Sequence, residues 1–469
     1  MAARGMSMHD DKMRDECGVF GIYSPGSNVA QLTYYGLYAL QHRGQESAGI
    51  AVANGREIKG EKGVGLVSEV FADTSKLEQL QGHIAVGHVR YSGVDSTSPV
   101  NAQPLIVRYY GGSHAIVHNG NLVNGRKLRL QLEREGSIFQ TATDSEIIAH
   151  LIARSGESDL VAALKKALPR LKGAFTFIIM TPDKLIAIRD VHGFRPLSLG
   201  ETAAGFVLAS ESCAFDTVGA QFVRDVKPGE MVVIDKNGPQ SIQYAETDKQ
   251  AMCVFEYIYF ARPDSNLLGQ NVHMVRKRLG RRLAEEHPVE ADIVTGVPDS
   301  SLSAASGVAE QLGLPYEMGF IKNRYIGRTF IEPSPELRAL GVQLKLNPVR
   351  QIVAGKRVVM VDDSIVRGTT SKRIVEMLRQ AGAREVNVLI TSPPVISPCY
   401  YGVHTAKAQE LIGAHLEIKE IAREIGADYL GFLSEEGMLE CLNLPKEDFC
   451  TACFNGSYPV LGEEDEESV

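Results

Sequence analysis

The chain has 469 residues, 44% of them hydrophobic and 23% charged, with 45 glycines, 20 prolines and no tryptophan. That is ordinary globular composition, which excludes a fibrous or disordered chain, and the length suffices for two to four domains at roughly 100–200 residues each. The formal charge of -8 is concentrated in an acidic tail: without Glu463, Glu464, Asp465, Glu466 and Glu467 it is -3. A near-neutral body gives no footing for nucleic acid, and no apolar run of about 18 residues is present to span a membrane. Residues 1–16 are polar and lack the apolar core of a secretory signal, so a cytoplasmic location is expected.

In chain order, residues 1–16 suggest no regular element. From Cys17 to about residue 245, short β-like runs alternate with turns: 17–24, 47–53, 83–92, 114–120, 174–180, 184–190, 205–210 and 230–236. Helical patterns fall at Val29–Leu40, Gly125–Glu135 and Asp144–Ala153, which together imply a layered sheet sandwich flanked by helices. The polar stretch 238–250 reads as a boundary. Beyond it the pattern changes to βα alternation: helix at 271–287, strand and turn at 291–300, helix at 301–313, strand, loop and helix at 356–383, and a strand at 384–394. This is the signature of a doubly wound parallel sheet, whose ligands lie beyond the carboxyl ends of its strands. The basic run Arg276, Lys277, Arg278, Arg281 and Arg282 lies on a helix and reads first as a solvated face, with an allosteric anion site as the alternative.

The seven cysteines are Cys17, Cys213, Cys253, Cys399, Cys441, Cys450 and Cys453. An odd number in a chain without a secretory signal argues against a disulfide framework. Cys213 and Cys441 suit core positions. Cys450 and Cys453 form a Cys-x-x-Cys, which by itself would equally suit a thiol redox pair; with Cys253 and Cys399 they would supply four thiolates, which fit either zinc or an iron–sulfur cluster.

The sharpest local signal is KRVVMVDDSIVRGTTS, residues 356–371. A buried β-run delivers Asp362 and Asp363, and the following loop opens a helix whose N–H groups and hydroxyls make an anion cradle. Two carboxylates at that place suit a ribose diol or a hydrated Mg²⁺; an acidic strand end before a helix cap would look similar. The full string resembles the phosphoribosyl-diphosphate (PRPP) motif of type I phosphoribosyltransferases. The resemblance implies that Asp362, Asp363, Ser364, Val366, Arg367, Gly368, Thr369 and Thr370 bind PRPP. It also implies a pyrophosphate loop at Val297–Ser300, with Pro298 and Asp299 at PRPP and Ser300 joining Asp362 and Asp363 at one Mg²⁺ per subunit. The segment 322–334 is similar to the loop that closes over PRPP in that family, and Lys345 follows as a phosphate contact. Gln343 departs from the arginine common in relatives.

In the first half, Cys17 keeps the company of QHRGQESAGIAV (41–52), HVRYS (88–92), HNGNL (118–122) and TDSEIIAHL (143–151). Together these resemble the glutaminase domain of class II, N-terminal-nucleophile amidotransferases, an αββα sandwich, over nearly all of residues 17–235. The implied roles are Cys17 as nucleophile, Asn119 and Gly120 as oxyanion hole, Arg90 on the glutamine carboxylate and Asp144 on its ammonium. Removal of residues 1–16 as a propeptide would make the Cys17 α-amine, with an unperturbed pKa of ~7.7–8.0, the general base. Gly93 departs from the threonine often found there.

A class II glutaminase joined to a type I phosphoribosyltransferase resembles the amidophosphoribosyltransferase family, in its iron–sulfur branch with a propeptide. The resemblance implies glutamine hydrolysis, internal ammonia transfer and formation of 5-phosphoribosylamine from PRPP at the start of purine synthesis. It places a 4Fe–4S cluster, one per subunit, on Cys253, Cys399, Cys450 and Cys453. It further implies purine-nucleotide feedback inhibitors and a homotetramer, and makes FEYIYFARPDS (255–265) a junction whose Tyr257 and Tyr259 wall an ammonia passage or fill a strand-face core. The expected division is a propeptide at 1–16, a glutaminase at 17–246, a transferase at 247–443 and a C-terminal segment at 444–469. Another class II amidotransferase would need a different second domain, and a PRPP-binding regulator would not need the Cys17, Arg90, Asn119 and Asp144 set.

Overall fold

The structure, a computed structural model, describes residues 14–15, 17–91, 98–247, 249–323 and 346–461. Expectations for Gly93, Gln343, Lys345, most of the 322–334 loop, most of the leader and the acidic tail lie outside the described residues.

Two antiparallel sheets stack face to face in the first half. One has seven strands, with Cys17–Tyr23 between Gly205–Ala209 and Ile84–Arg90; the other has six, with Gly112–Leu122 beside Gly173–Met180. Cys17–Tyr23 is buried along its whole length because both of its faces are covered. Val19 joins Val86, Val117, Ile178 and Ile234 in the layer between the sheets. Phe20 and Ile22 face the other way, onto Leu37 and Leu40 of the helix Val29–Ala39 and its cap. That helix comes close because Gly36 has no side chain: a Cβ there would lie 2.3 Å from the Phe20 ring. On the far side, Ile116, Phe175 and Ile188 support Ile147, Ile148, Leu151 and Leu164 from the helices Asp144–Ala153 and Leu160–Ala167. The order of layers is αββα, as expected.

The second half is built on four parallel strands in the order Ile293–Gly296, Arg357–Asp362, Glu385–Ile390 and Tyr429–Phe432. Helices Val272–Glu286 and Leu302–Leu312 cover one face and Thr369–Gln380 and Ile418–Ile425 the other, so the sheet is doubly wound. Two short pairings tie distant parts of the chain together. Phe449–Cys450 runs parallel to Met252–Cys253, and Arg14–Asp15 pairs antiparallel with Val403–His404. Among the described residues, no helix is long and apolar enough to cross a membrane.

Three local expectations need correction. The stretch 238–250 begins as a strand, Gly238–Gln243, paired with Glu230–Asp235 at the edge of a sheet. The junction around Tyr257 and Tyr259 is no strand: Glu256–Phe260 forms one π-helical turn. Tyr257 is fully buried there and donates to the Leu267 carbonyl at 2.6 Å, while Tyr259 is half-buried. The basic run is not a solvated face throughout. Arg276 is buried, and its guanidinium donates to the carbonyls of Tyr257 at 2.7 Å and Ala261 at 2.8 Å, satisfying the backbone of that turn. Its neighbours are paired nearer the surface, Lys277 and Arg281 with Glu310, Arg282 with Glu286.

Candidate functional site

Cys17 opens a central strand and is buried. Its register partner on the next strand is Arg90, which also faces Ser47, so Cys17 and Arg90 share one row of the sheet. The Arg90 guanidinium donates to the Asn101 carbonyl, which orients it. On the facing sheet, Asn119 is fully buried, and neither its side-chain amide nitrogen nor its oxygen has a hydrogen-bond partner among the described residues. An unpartnered buried amide is costly unless something else binds there, which fits a donor reserved for a substrate oxygen. Gly120 follows at φ +132°, and a Cβ there would lie 2.2 Å from the Ala174 carbonyl oxygen. Only glycine can hold its N–H in that orientation. Asp144 begins its helix and accepts the Leu122 N–H at 2.9 Å. Burial raises its pKa, while the Leu122 amide and the Arg129 and Arg90 charges pull in the opposite direction.

Two buried histidines lie in the same motifs. His88 Nε2 donates to the His118 carbonyl at 2.9 Å, joining the two sheets one residue from Asn119. His118 stacks on Phe177 at 4.4 Å. Burial lowers the pKa of both rings to about 3, so neither is a cation at neutral pH and both act as neutral braces. The strings HVRYS and HNGNL contained them, but a histidine on a strand carries no pattern that separates brace from catalyst.

In the second half the parallel register sets Gly296 beside Val361, so the turns after both strands open side by side. Asp362 and Asp363 are both buried at that point. Asp363 accepts from the Ser300 hydroxyl at 2.6 Å and the Ser364 hydroxyl at 2.8 Å; Asp362 accepts from Ser301 at 3.0 Å. Asp299 pairs with Lys322 at 2.8 Å, and Arg367 with Glu410 at 2.8 Å. Gly368 caps the helix at φ +83°, placing Thr369 and Thr370 in its first turn. The structure therefore gathers Pro298, Asp299, Ser300, Asp362, Asp363, Ser364, Val366, Arg367, Gly368, Thr369 and Thr370 at the carboxyl ends of two strands. This cluster of oxygen donors suits a hard cation carried by a polyphosphate, for which one or two carboxylates suffice.

Cys253, Cys399, Cys450 and Cys453 line one small cavity together with Arg195 and Tyr401. Burial pushes the Cys450 thiol up to about 12 and those of Cys253 and Cys453 well above the usual range. The donor set, four thiols around one cavity beside an arginine, fits a thiolate-bound cluster. Among the described residues no group of three or more metal-binding side chains is already drawn together around a common point. Cys213 and Cys441 are buried in the core, as expected.

The two halves meet in a buried ionic network that no local motif announces. Glu211 receives the Arg43 guanidinium, His42 at 2.6 Å, Ser265 at 2.6 Å and the Arg262 amide at 2.9 Å. Glu256 receives Arg43 at 2.5 Å and Arg195 at 3.5 Å. Arg43, Glu211 and Glu256 have fully buried side chains.

Two family descriptions match the chain: a glutamine amidotransferase domain over residues 88–217 and a phosphoribosyl transferase domain over residues 269–392. The amidophosphoribosyltransferase of Bacillus subtilis (strain 168) is 53% identical over 453 residues, 96% of this chain and 95% of that protein. That of Synechococcus elongatus is 50% identical over 456 residues, 96% and 92% of the two chains. A solved structure described as glutamine phosphoribosylpyrophosphate amidotransferase from B. subtilis complexed with ADP and GMP is similar at a TM-score of 0.91 and 53% identity, covering 96% of this chain and 98% of that one.

Proposed function

The chain belongs to the amidophosphoribosyltransferase family, and from that membership we propose which of its residues carry the two half-reactions. The enzyme uses glutamine and PRPP to make 5-phosphoribosylamine, pyrophosphate and glutamate, the first step of purine synthesis. The residues that carry each half-reaction are our reading. The Cys17 thiol attacks the glutamine amide carbon, with its proton passing to the Cys17 α-amine once residues 1–16 are cleaved between Glu16 and Cys17. Arg90 and Asp144 hold the two ends of the amino acid, and Asn119 and Gly120 donate to the tetrahedral oxyanion. Collapse of that intermediate expels ammonia and leaves a thioester that water hydrolyses to glutamate. The ammonia passes the Tyr257 and Tyr259 junction and attacks the anomeric carbon of PRPP as pyrophosphate departs. Asp362 to Thr370, with Pro298 and Asp299, position PRPP, so geometry replaces a strong acid or base. Lys345 is assigned to the same PRPP contacts by the resemblance.

Ser300, Asp362 and Asp363 would hold Mg²⁺, which when bound offsets the charge of the departing pyrophosphate. The four cavity cysteines would hold a 4Fe–4S cluster, which when bound ties the C-terminal segment to the transferase. We place the propeptide at 1–16, the glutaminase at 17–246, the transferase at 247–443 and the C-terminal segment at 444–469. A cytoplasmic homotetramer inhibited by purine nucleotides completes the reading, and the ADP and GMP held by the Bacillus relative support the last element.

The observation that carries this assignment is the shared row of Cys17 and Arg90 facing the unpartnered Asn119 amide. A glutamine analogue bearing an electrophilic ketone tests it. The expected result is a mass increment on Cys17 at the protein's N-terminus, loss of glutamine-dependent PRPP consumption and retention of ammonium-dependent consumption. Labelling elsewhere, or at Cys17 of a protein still starting at residue 1 or 2 and fully active, contradicts it.

A further inference from the structure

Three consecutive residues after Cys399 rest on the glutaminase. The Asn121 side-chain amide donates to the Tyr400 carbonyl at 2.9 Å. The buried Arg195 donates to the Tyr401 carbonyl at 3.0 Å, and the Tyr401 ring stacks on Phe194 at 4.2 Å. Gly402, at φ +92°, packs so closely that a Cβ there would lie 3.1 Å from both Cα and the carbonyl carbon of Gly120. The loop is anchored at its start, where the Tyr401 N–H reaches the Cys399 sulfur at 3.3 Å and the Cys399 N–H donates to Thr405 Oγ1 at 2.9 Å.

Gly120 adopts a positive φ that glycine enters freely, so it is the packing around it that holds its N–H in one orientation. Ala174 crowds it from within its own sheet, and Gly402 closes it from the second domain. An oxyanion donor must be held in place before charge develops, since reorganising it during the reaction forfeits the benefit. We propose that the 399–402 loop is a strut that fixes the oxyanion hole, with Asn121 and Gly402 as positioning residues, and that loading of the four-cysteine site holds the strut in place. The glutaminase thus reaches full competence only when the second domain is docked and its cysteine cavity filled. This rests on the assignment of Asn119 and Gly120 as the oxyanion hole and of the cysteines as cluster ligands.

The test compares wild type, N121A, G402A and N119A, each purified anaerobically and assayed for iron and sulfide, glutamine kcat and KM, and ammonium-dependent transfer. A positioning role in the oxyanion hole predicts about a tenfold fall in glutamine kcat for N121A with KM within about twofold, because the oxyanion exists only in the transition state. Ammonium-dependent transfer stays at the wild-type level and shows that the variant is folded. G402A, which thrusts a methyl against Gly120, falls at least as far. Stripping the cluster lowers wild-type kcat by a similar factor and lowers N121A no further, since the variant has already lost the strut. Unchanged kcat in N121A, or equal further losses on stripping both proteins, overturns the proposal. Unchanged kcat in N119A overturns the oxyanion assignment beneath it. Iron-free wild type overturns the cluster reading alone, and the N121A comparison then decides the strut by itself.

Discussion

Arg43 lies between two fully buried carboxylates from different halves of the chain, Glu211 and Glu256. Replacing it with alanine leaves both buried acids with fewer partners. Removing one partner of a buried ion pair costs about 3–5 kcal/mol. Glu211 keeps His42, Ser265 and the Arg262 amide, and Glu256 keeps Arg195, so the lower end applies. A loss of about 3 kcal/mol corresponds to a melting temperature roughly 6–12 °C lower for a unit of 150–250 residues. The pH dependence adds a second signature. Burial alone would raise the Glu211 pKa, but Arg43, His42 and the Ser265 hydroxyl outweigh it and hold the carboxyl well below its ordinary range. A group depressed in the folded state stabilises the protein above its unfolded value of about 4.3 and loses that contribution as pH falls through the folded value. R43A should therefore flatten the acid limb of the stability profile as well as lower its plateau. Urea unfolding from neutral pH down into the acid limb measures both, and E256Q combined with R43A should recover part of the loss. A destabilisation under about 1 kcal/mol, or an acid limb as steep as wild type, would refute the reasoning.

The two catalytic centres respond to single substitutions in distinct ways. Asp363→Asn weakens the acceptor for Ser300 and Ser364 and halves the local negative charge, so Mg²⁺-dependent PRPP use should fall roughly 10–100-fold, read as initial rates across a Mg²⁺ titration. The proposed hold of Asp144 on the glutamine ammonium requires the charged carboxylate, and burial raises its pKa; the glutamine KM should therefore climb as pH falls toward that raised value. In Asp144→Asn the KM should be high at every pH, with that acid limb gone. Gly120→Ala should lose glutamine hydrolysis, because its methyl would lie 2.2 Å from the Ala174 oxygen and its φ of +132° disfavours any side chain. Wild-type hydrolysis in that variant would contradict the geometry.

Both candidate sites are proposed from motif chemistry that the amino-acid sequence carries. Asp362 and Asp363 stand directly before a helix start, so that pattern is local, whereas Cys17, Arg90, Asn119 and Asp144 lie on separate elements and are grouped in the sequence only by the resemblance of the strings around them. The layered sandwich and the parallel sheet follow from the change in hydrophobic rhythm near residue 250. What escapes a sequence reading is set by contacts distant along the chain. Arg276 reads as one cation among five, and only the π-helical turn at Glu256–Phe260 gives its guanidinium carbonyls to cap. Asn121 lies inside a recognised string, yet its partner is Tyr400, 279 residues away. The Arg43, Glu211 and Glu256 network is equally hidden, since no local pattern marks two acids that will share one arginine across a domain junction.

In the proposed assignment one chain couples glutamine hydrolysis at Cys17 to pyrophosphate displacement at Asp362 and Asp363, and that coupling has a direct signature. The decisive measurement follows glutamate and pyrophosphate together, with glutamine and PRPP saturating and no added ammonium. Coupling predicts equal amounts of the two products at all times, with glutamate release that rises when PRPP is added. Glutamate formed at the same rate with and without PRPP, with no matching pyrophosphate, would contradict it.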